Sequence, residues 1–193
     1  MRMERVMLRI YLGVLMMMVV VGLAHGQTAQ VSLSETSAQL KYGMLVGGQR
    51  FGRSELTAGF LYNSDSDYIA EAALLVVDEA GSKLPGMRIG LGGKFYGASI
   101  PSNELAALAI GGEVYYTLSR MDRLTLAAEG FYAPSIVSFL DTERFWEIAG
   151  RAQYAVLPTA EAFIEYRKFY AELDSGAGVS IDQGIRLGLR IEF

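Results

Sequence analysis

Apolar and polar residues alternate one for one along most of the chain. The last stretch shows it plainly: Phe193, Ile191, Leu189, Leu187 and Ile185 are apolar, and Glu192, Arg190, Gly188, Arg186 and Gly184 stand between them. A period of two gives a strand one apolar and one polar face. The same period runs through segments near 38–46, 54–63, 68–77, 87–97, 105–118, 123–132, 144–156, 160–171 and 183–193. The breaks between them, such as "NSDSD", "RMD" and "LPT", carry turn chemistry. No linker or low-complexity tract interrupts this rhythm, so residues 27–193 read as a single all-β domain.

The two faces decide what the strands meet. One face of the second segment holds Leu56, Ala58, Phe60 and Tyr62; one face of the seventh holds Trp146, Ile148, Gly150, Ala152, Tyr154 and Val156. These faces carry no charge. The opposite faces collect Lys41, Arg88, Lys94, Arg123, Arg151, Arg167, Arg186 and Arg190 against Glu55, Glu71, Glu113, Glu129, Glu147, Glu161, Glu165 and Glu192. A soluble sandwich or barrel would alternate in the same way, with its apolar face inward. Eight cations balanced by eight carboxylates favour the inverted arrangement, in which charges pair inside a narrow lumen. Aromatics at segment ends favour it too: Tyr62 and Tyr68 flank one break, Tyr132 and Trp146 another, and Tyr170 precedes a third. Rings at that height form the interfacial girdles of a membrane barrel.

The pattern therefore predicts an antiparallel transmembrane β-barrel. About ten residues tilted near 45° span the ~25 Å apolar band. Hydrocarbon cannot satisfy an open sheet edge, so the sheet must close. Lys168 falls on the outer face near a strand end, where it can snorkel. Nine segments leave odd parity, whereas bacterial barrels have even strand numbers. A weak tenth strand near 30–35 gives ten; eight is the rival, if two weak segments are not membrane strands. "EAALLVV" at 71–77 is apolar on both faces and fits poorly, and "LAALAIGG" at 105–112 has helical propensity. If the last strand ends in the periplasm, "GGQRFG", "DEAGSKLPG", "RMD" and "LPT" are periplasmic turns. "NSDSD", "GASIPSN", "PSIVSFLDTE" and "DSGAGVSID" are then outer loops.

The N-terminus refines the picture. "MRMERVMLR" is basic, and Ile10 to Ala24 are uncharged over 15 residues, with small residues at Ala24 and Gly26. That is the pattern of a cleaved secretory signal over residues 1–26, the run being shorter than the roughly 20 residues of a spanning helix. Removing it takes Arg2, Arg5, Arg9 and Glu4, and the formal charge moves from −4 to −6. It also takes His25, the one histidine, from a chain without cysteine. The mature chain can then run no Ser-His-Asp or Cys-His mechanism and lacks the usual zinc ligands. Catalytic, cofactor and metal sites are all expected to be absent. The net acidic charge without basic clusters argues against nucleic acid. "NSDSDY" lacks the glycine and distal Glu of a calcium loop.

The stretch "AEGFYAPSIVSFLDTERFWEIAGRAQYAVLPTAEAFIEYRKFYAEL" resembles the YfaZ family of small outer-membrane proteins. The resemblance is carried by Glu129 to Ser135, a Glu near the start of the next strand (Glu143 or Glu147), and Tyr166-Arg167 followed by an acidic loop and a Phe-terminated strand. It covers roughly 105–193. It implies an outer-membrane barrel and supplies no catalytic residues. Resemblance to outer-membrane barrels also implies that Phe193, Ile191 and Leu189 form the signal read by the assembly machinery.

The candidate site is the lumen, with Glu113, Glu129, Glu147, Arg151, Glu165, Arg167, Arg186 and Arg190 as ion-pair candidates. Two roles are open: a selectivity constriction, or a network that simply allows charges to be inside. The function expected is a structural or narrow-pore barrel. The alternative is a surface-binding barrel acting through its outer loops, for which "PSIVSFLDTE" is the one candidate. A membrane-embedded hydrolase would have no histidine to use. The expected partners are the lipid bilayer, lipopolysaccharide and the assembly machinery, with the protein a monomer.

Overall fold

The alternating segments become strands in a closed antiparallel barrel. The computed structural model describes residues 26–47, 52–81, 84–100 and 103–193. The expected signal segment lies outside these residues, apart from Gly26, as do Arg50 and Lys83 of two predicted turns.

The strands are β1 (Gln27–Ser34), β2 (Ser37–Gly47), β3 (Arg53–Asn63), β4 (Tyr68–Glu79), β5 (Met87–Ile100), β6 (Asn103–Leu118) and β7 (Met121–Ala133). They continue with the short β8 (Ser138–Leu140), then β9 (Thr142–Leu157), β10 (Ala160–Leu173) and β11 (Gly178–Glu192). Each long strand pairs with the next one along the chain, β7 passing to β9, and β11 pairs back onto β1. The result is a ten-stranded barrel. The weak tenth strand is β1, and it supplies the seam: Thr28 stands opposite Glu192 and Ser34 opposite Arg186. Gln27 and Phe193 exchange both backbone hydrogen bonds, at 3.0 and 2.9 Å. Both lie at one end of the barrel, the seam rim. The β1–β2, β3–β4, β5–β6, β7–β9 and β10–β11 connections lie at the other, the loop rim.

The eight-strand alternative falls, and so do the two doubts about segments. Residues 71–77 belong to β4, in which buried and exposed positions alternate throughout. The inward face is apolar there: Leu75 and Val77 stand opposite Gly92 and Gly90 of β5, and Val77 packs into the lumen space that Gly90 leaves. Residues 105–112 form β6 rather than a helix. Pairing on both sides, with β5 and with β7 or β8, overrides a local preference for helix. β8 continues the wall of β7 after a three-residue 3-10 turn at Ser135–Val137.

The apolar face points outward. Leu126, Ile148, Ile164, Leu187 and Leu189 are all exposed on the outer wall. At the loop rim Tyr62 packs on Tyr68 with ring centres 5.0 Å apart, and Trp146 stacks on Tyr170 at 5.2 Å. The Lys168 ammonium lies 5.4 Å from the Trp146 ring centre, as expected of a snorkelling lysine. Tyr116, Tyr154 and Phe193 are exposed towards the seam rim.

The interior is layered. Towards the loop rim it is apolar: Leu61, Ile69, Tyr96, Phe131, Phe145 and Phe169 are buried together. Next comes a layer of charge. Towards the seam rim a cavity of about 140 Å³ remains.

Candidate functional site

Strand register builds the charged layer from local pairs. Glu165 of β10 stands directly between Arg151 of β9 and Arg186 of β11. Opposite-charge cross-strand pairs of this kind favour their own register. Arg151 Nε donates to Glu165 at 2.7 Å, and Arg186 Nε lies 4.0 Å from the same carboxylate. Two positions along β10, Arg167 has Ala149 and Gly184 as its cross-strand neighbours. These small partners leave its guanidinium room to reach across the lumen.

Arg167 is the hub of the layer. It is fully buried and touches three carboxylates: Glu129 at 3.2 Å, Glu147 at 3.3 Å and Glu165 at 3.0 Å. It also donates to Gln39 Oε1 of β2 at 2.7 Å. β2 and β10 are not neighbours in the wall, so this contact bridges the lumen. Glu147 in turn receives Lys94 of β5 at 2.7 Å and accepts a hydrogen bond from the Tyr96 hydroxyl. Glu71 of β4 takes Lys94 at 3.1 Å and Lys41 of β2 at 2.8 Å. The last contact crosses β3 at Gly59, which stands in register between Lys41 and Glu71. A Cβ at Gly59 would lie 2.6 Å from a Glu71 carboxylate oxygen, so only glycine lets that side chain pass.

The eight candidates thus divide. Glu129, Glu147, Arg151, Glu165, Arg167 and Arg186 join one network. Arg186 enters it through Gln39 at 3.0 Å and pairs separately with Asp182. Glu113 and Arg190 stand apart. Glu113 accepts a hydrogen bond from Tyr115 at 3.0 Å and makes no ion pair among the described residues; Arg190 makes none either. Six further participants are Gln39, Lys41, Glu71, Lys94, Tyr96 and Asp182. Alternation had placed Lys41, Glu71 and Lys94 on the polar face without marking them as part of one cluster. Among the described residues no three acidic groups converge to hold a metal ion.

The seam-side cavity lies against this layer. Gln30, Lys41, Lys94, Glu129 and Arg151 line its inner part, and Arg53 and Glu192 its exposed mouth.

The model of one family, described as YfaZ precursor, matches residues 7–193. The chain belongs to the YfaZ family. The match extends well before the C-terminal half that carried the sequence resemblance. A search of curated proteins found no match. Among solved structures, this YfaZ chain is similar to the outer membrane channel DcaP of Acinetobacter baumannii, at 12% identity and a TM-score of 0.44. That likeness covers 85% of this chain and 54% of the channel, so the chain spans about half of the channel's length. It is also similar to the NanC porin (11% identity, TM-score 0.47, 88% of this chain and 100% of that one). A third is the KdgM porin, solved in complex with disordered oligogalacturonate (16% identity, TM-score 0.43, 87% and 99%). A closed antiparallel barrel with an apolar outer wall, in a chain of the YfaZ family, is an outer-membrane protein, set in the lipid bilayer with its lipopolysaccharide.

Proposed function

We propose that the protein is a small structural barrel of the outer membrane, shut to through-passage near the loop rim and open only at the seam rim. The observation that carries this reading is a contact across the lumen. Tyr96 of β5 meets Phe145 of β9 at 4.5 Å between ring centres and Phe169 of β10 at 6.0 Å. β9 and β10 are neighbours in the wall, and β5 lies three strands from β9, so the Tyr96 ring reaches across the lumen to the two phenylalanines and the rings close it. A hydrated ion would have to shed its water to pass them, and apolar constrictions close pores in this way. Behind the rings, Arg167 and its carboxylates offer no free charge to lead an ion onward. The expected wild-type result in planar bilayers is no steady current. The triple variant Tyr96→Ala, Phe145→Ala, Phe169→Ala, checked for folding by its heat-dependent gel shift, should conduct. Steady current through the wild-type protein would replace this reading with an open narrow pore.

We read sidedness from β11, taken as a last strand that ends in the periplasm; it ends at the seam rim. That rim faces the periplasm, and the loops face outward. Phe193, Ile191 and Leu189 point to lipid beside the seam, where an assembly machine could grip the last strand before closure. Phe193→Ala should lower the amount of folded barrel in the outer membrane several-fold, by heat-shift gel, while secretion across the inner membrane is unchanged. Normal folded levels would remove the assembly role. The surface-binding alternative would rest on Ile136, Phe139 and Leu140, all exposed around β8. Phe139 stands opposite Ala106 on the outward face of β6, so it extends the lipid-facing girdle, and we read the patch as interfacial.

A further inference from the structure

The charged layer satisfies its charges internally, and the cavity beside it does not. Arg190 and Glu113 are both half-buried and both line that cavity, yet neither has an ion-pair partner among the described residues. They sit on opposite walls. Arg190 is on β11 and Glu113 on β6, four strands away one way round the ring of ten and six the other. Nearer the mouth Arg53, Arg88, Glu55 and Glu192 likewise make no ion pair, so the unpaired charges of the cavity balance.

Two further observations point to a ligand. Gln30 is the cross-strand partner of Arg190 and is only 7% exposed. Its Oε1 accepts from Arg151 at 2.9 Å, and its amide nitrogen is buried without a hydrogen-bond partner beside the cavity that the residue lines. A buried donor left unmade is costly. On the other wall, Glu113 stands directly opposite Glu129 in the β6–β7 register. Like charges facing each other across strands are destabilising. Arg167 answers Glu129 and leaves Glu113 without a cation. One wall therefore offers a cation with a free amide donor, and the other offers a carboxylate in need of positive charge.

We propose that the seam-side cavity binds a small zwitterionic solute, its carboxylate held by Arg190 and Gln30 Nε2 and its ammonium by Glu113. The solute enters at the exposed mouth. The site does not depend on whether the lumen conducts, because it lies wholly on the seam side of the ring closure.

The test uses the folded barrel in nanodiscs and calorimetric titration. The probes are ω-amino acids from glycine to 6-aminohexanoate, with the carboxylate and the amine of matching length. One member of the amino-acid series should saturate, with its carboxylate and its amine at least tenfold weaker. Arg190→Gln and Glu113→Gln should each weaken that probe about tenfold, as about 1.4 kcal/mol apiece requires. Arg123→Gln, at the rim outside the cavity, should leave it unchanged. Gln30→Leu removes the free donor, at the cost of the acceptor that Arg151 uses, and tests the site should either charge variant fail the heat-shift check for folding. No saturable binding across the series overturns the proposal. So does equal binding of the single-charge probes, or binding that the Arg190, Glu113 and Gln30 variants do not alter.

Discussion

Arg167→Ala should destabilise the folded barrel by about 3–5 kcal/mol, the range for removing one partner of a buried pair. The size follows from what is left behind. Glu129 would lose the one cation within ion-pair distance of it. Glu147 would keep Lys94, and Glu165 would keep Arg151. The loss is thus concentrated on Glu129, whose carboxylate lines the inner part of the seam-side cavity, and on Gln39 Oε1, which would keep Arg186 alone. Urea titration of the protein in lipid vesicles measures the change, and the gel shift shows whether the barrel closes at all. A change below about 1 kcal/mol would place Arg167 in a wet, well-screened lumen, as for an exposed pair. Arg167→Met separates packing from charge. If it costs as much as alanine, the missing term is charge; if it recovers most of the loss, the guanidinium serves mainly to fill space.

An arginine placed on the outer wall should be costly in proportion to depth. Ile164 sits near the middle of β10, exposed, with Ala152 and Leu187 as its neighbours across the strands. Ile164→Arg should cost about 2–4 kcal/mol, while Leu157→Arg, at the seam rim, should cost about 0–1 kcal/mol. Both are read by the same urea titration in vesicles. Equal costs at the two depths would mean that the outer wall is not in hydrocarbon. The contrast with Arg167 is informative: the same side chain is required on one face of β10 and excluded from the other, at positions only three residues apart.

The alternation that predicts this barrel carries information about faces and little about height. It shows that Glu165 and Arg167 share a face, because they are two residues apart. It cannot show that Arg167 meets Gln39, since that contact depends on strand tilt, closure and the arc between β2 and β10. Gln39 also carries no charge, so nothing in the sequence marks it. The tenth strand was legible only through parity: β1 is short, and polar at Gln30 and Ser32 on one face and at Ser34 near its end. The stretch 71–77 misled for a physical reason, because an inward face can be apolar where glycines on the next strand leave space to fill. The ring closure of Tyr96, Phe145 and Phe169 was hidden in the same way. These aromatics lie on polar-face positions, and a reading that expects only charge inside passes over them.

The seam at β1 and β11 has a consequence for the order of events in making the barrel. Among the described strands, nine of the ten wall pairings join sequence neighbours, and each can form as a hairpin soon after its second strand is available. The tenth, with Gln27 bonded to Phe193, brings together residues from the two extremes of the domain. Its entropic cost rises only slowly with the length of chain enclosed, but it cannot form until the last strand has arrived. Until then two edges stand open, and in hydrocarbon neither can be satisfied. The wall is therefore a product of many quick local steps and one late distant one. Any failure of that single step leaves a nearly complete sheet with nowhere stable to be.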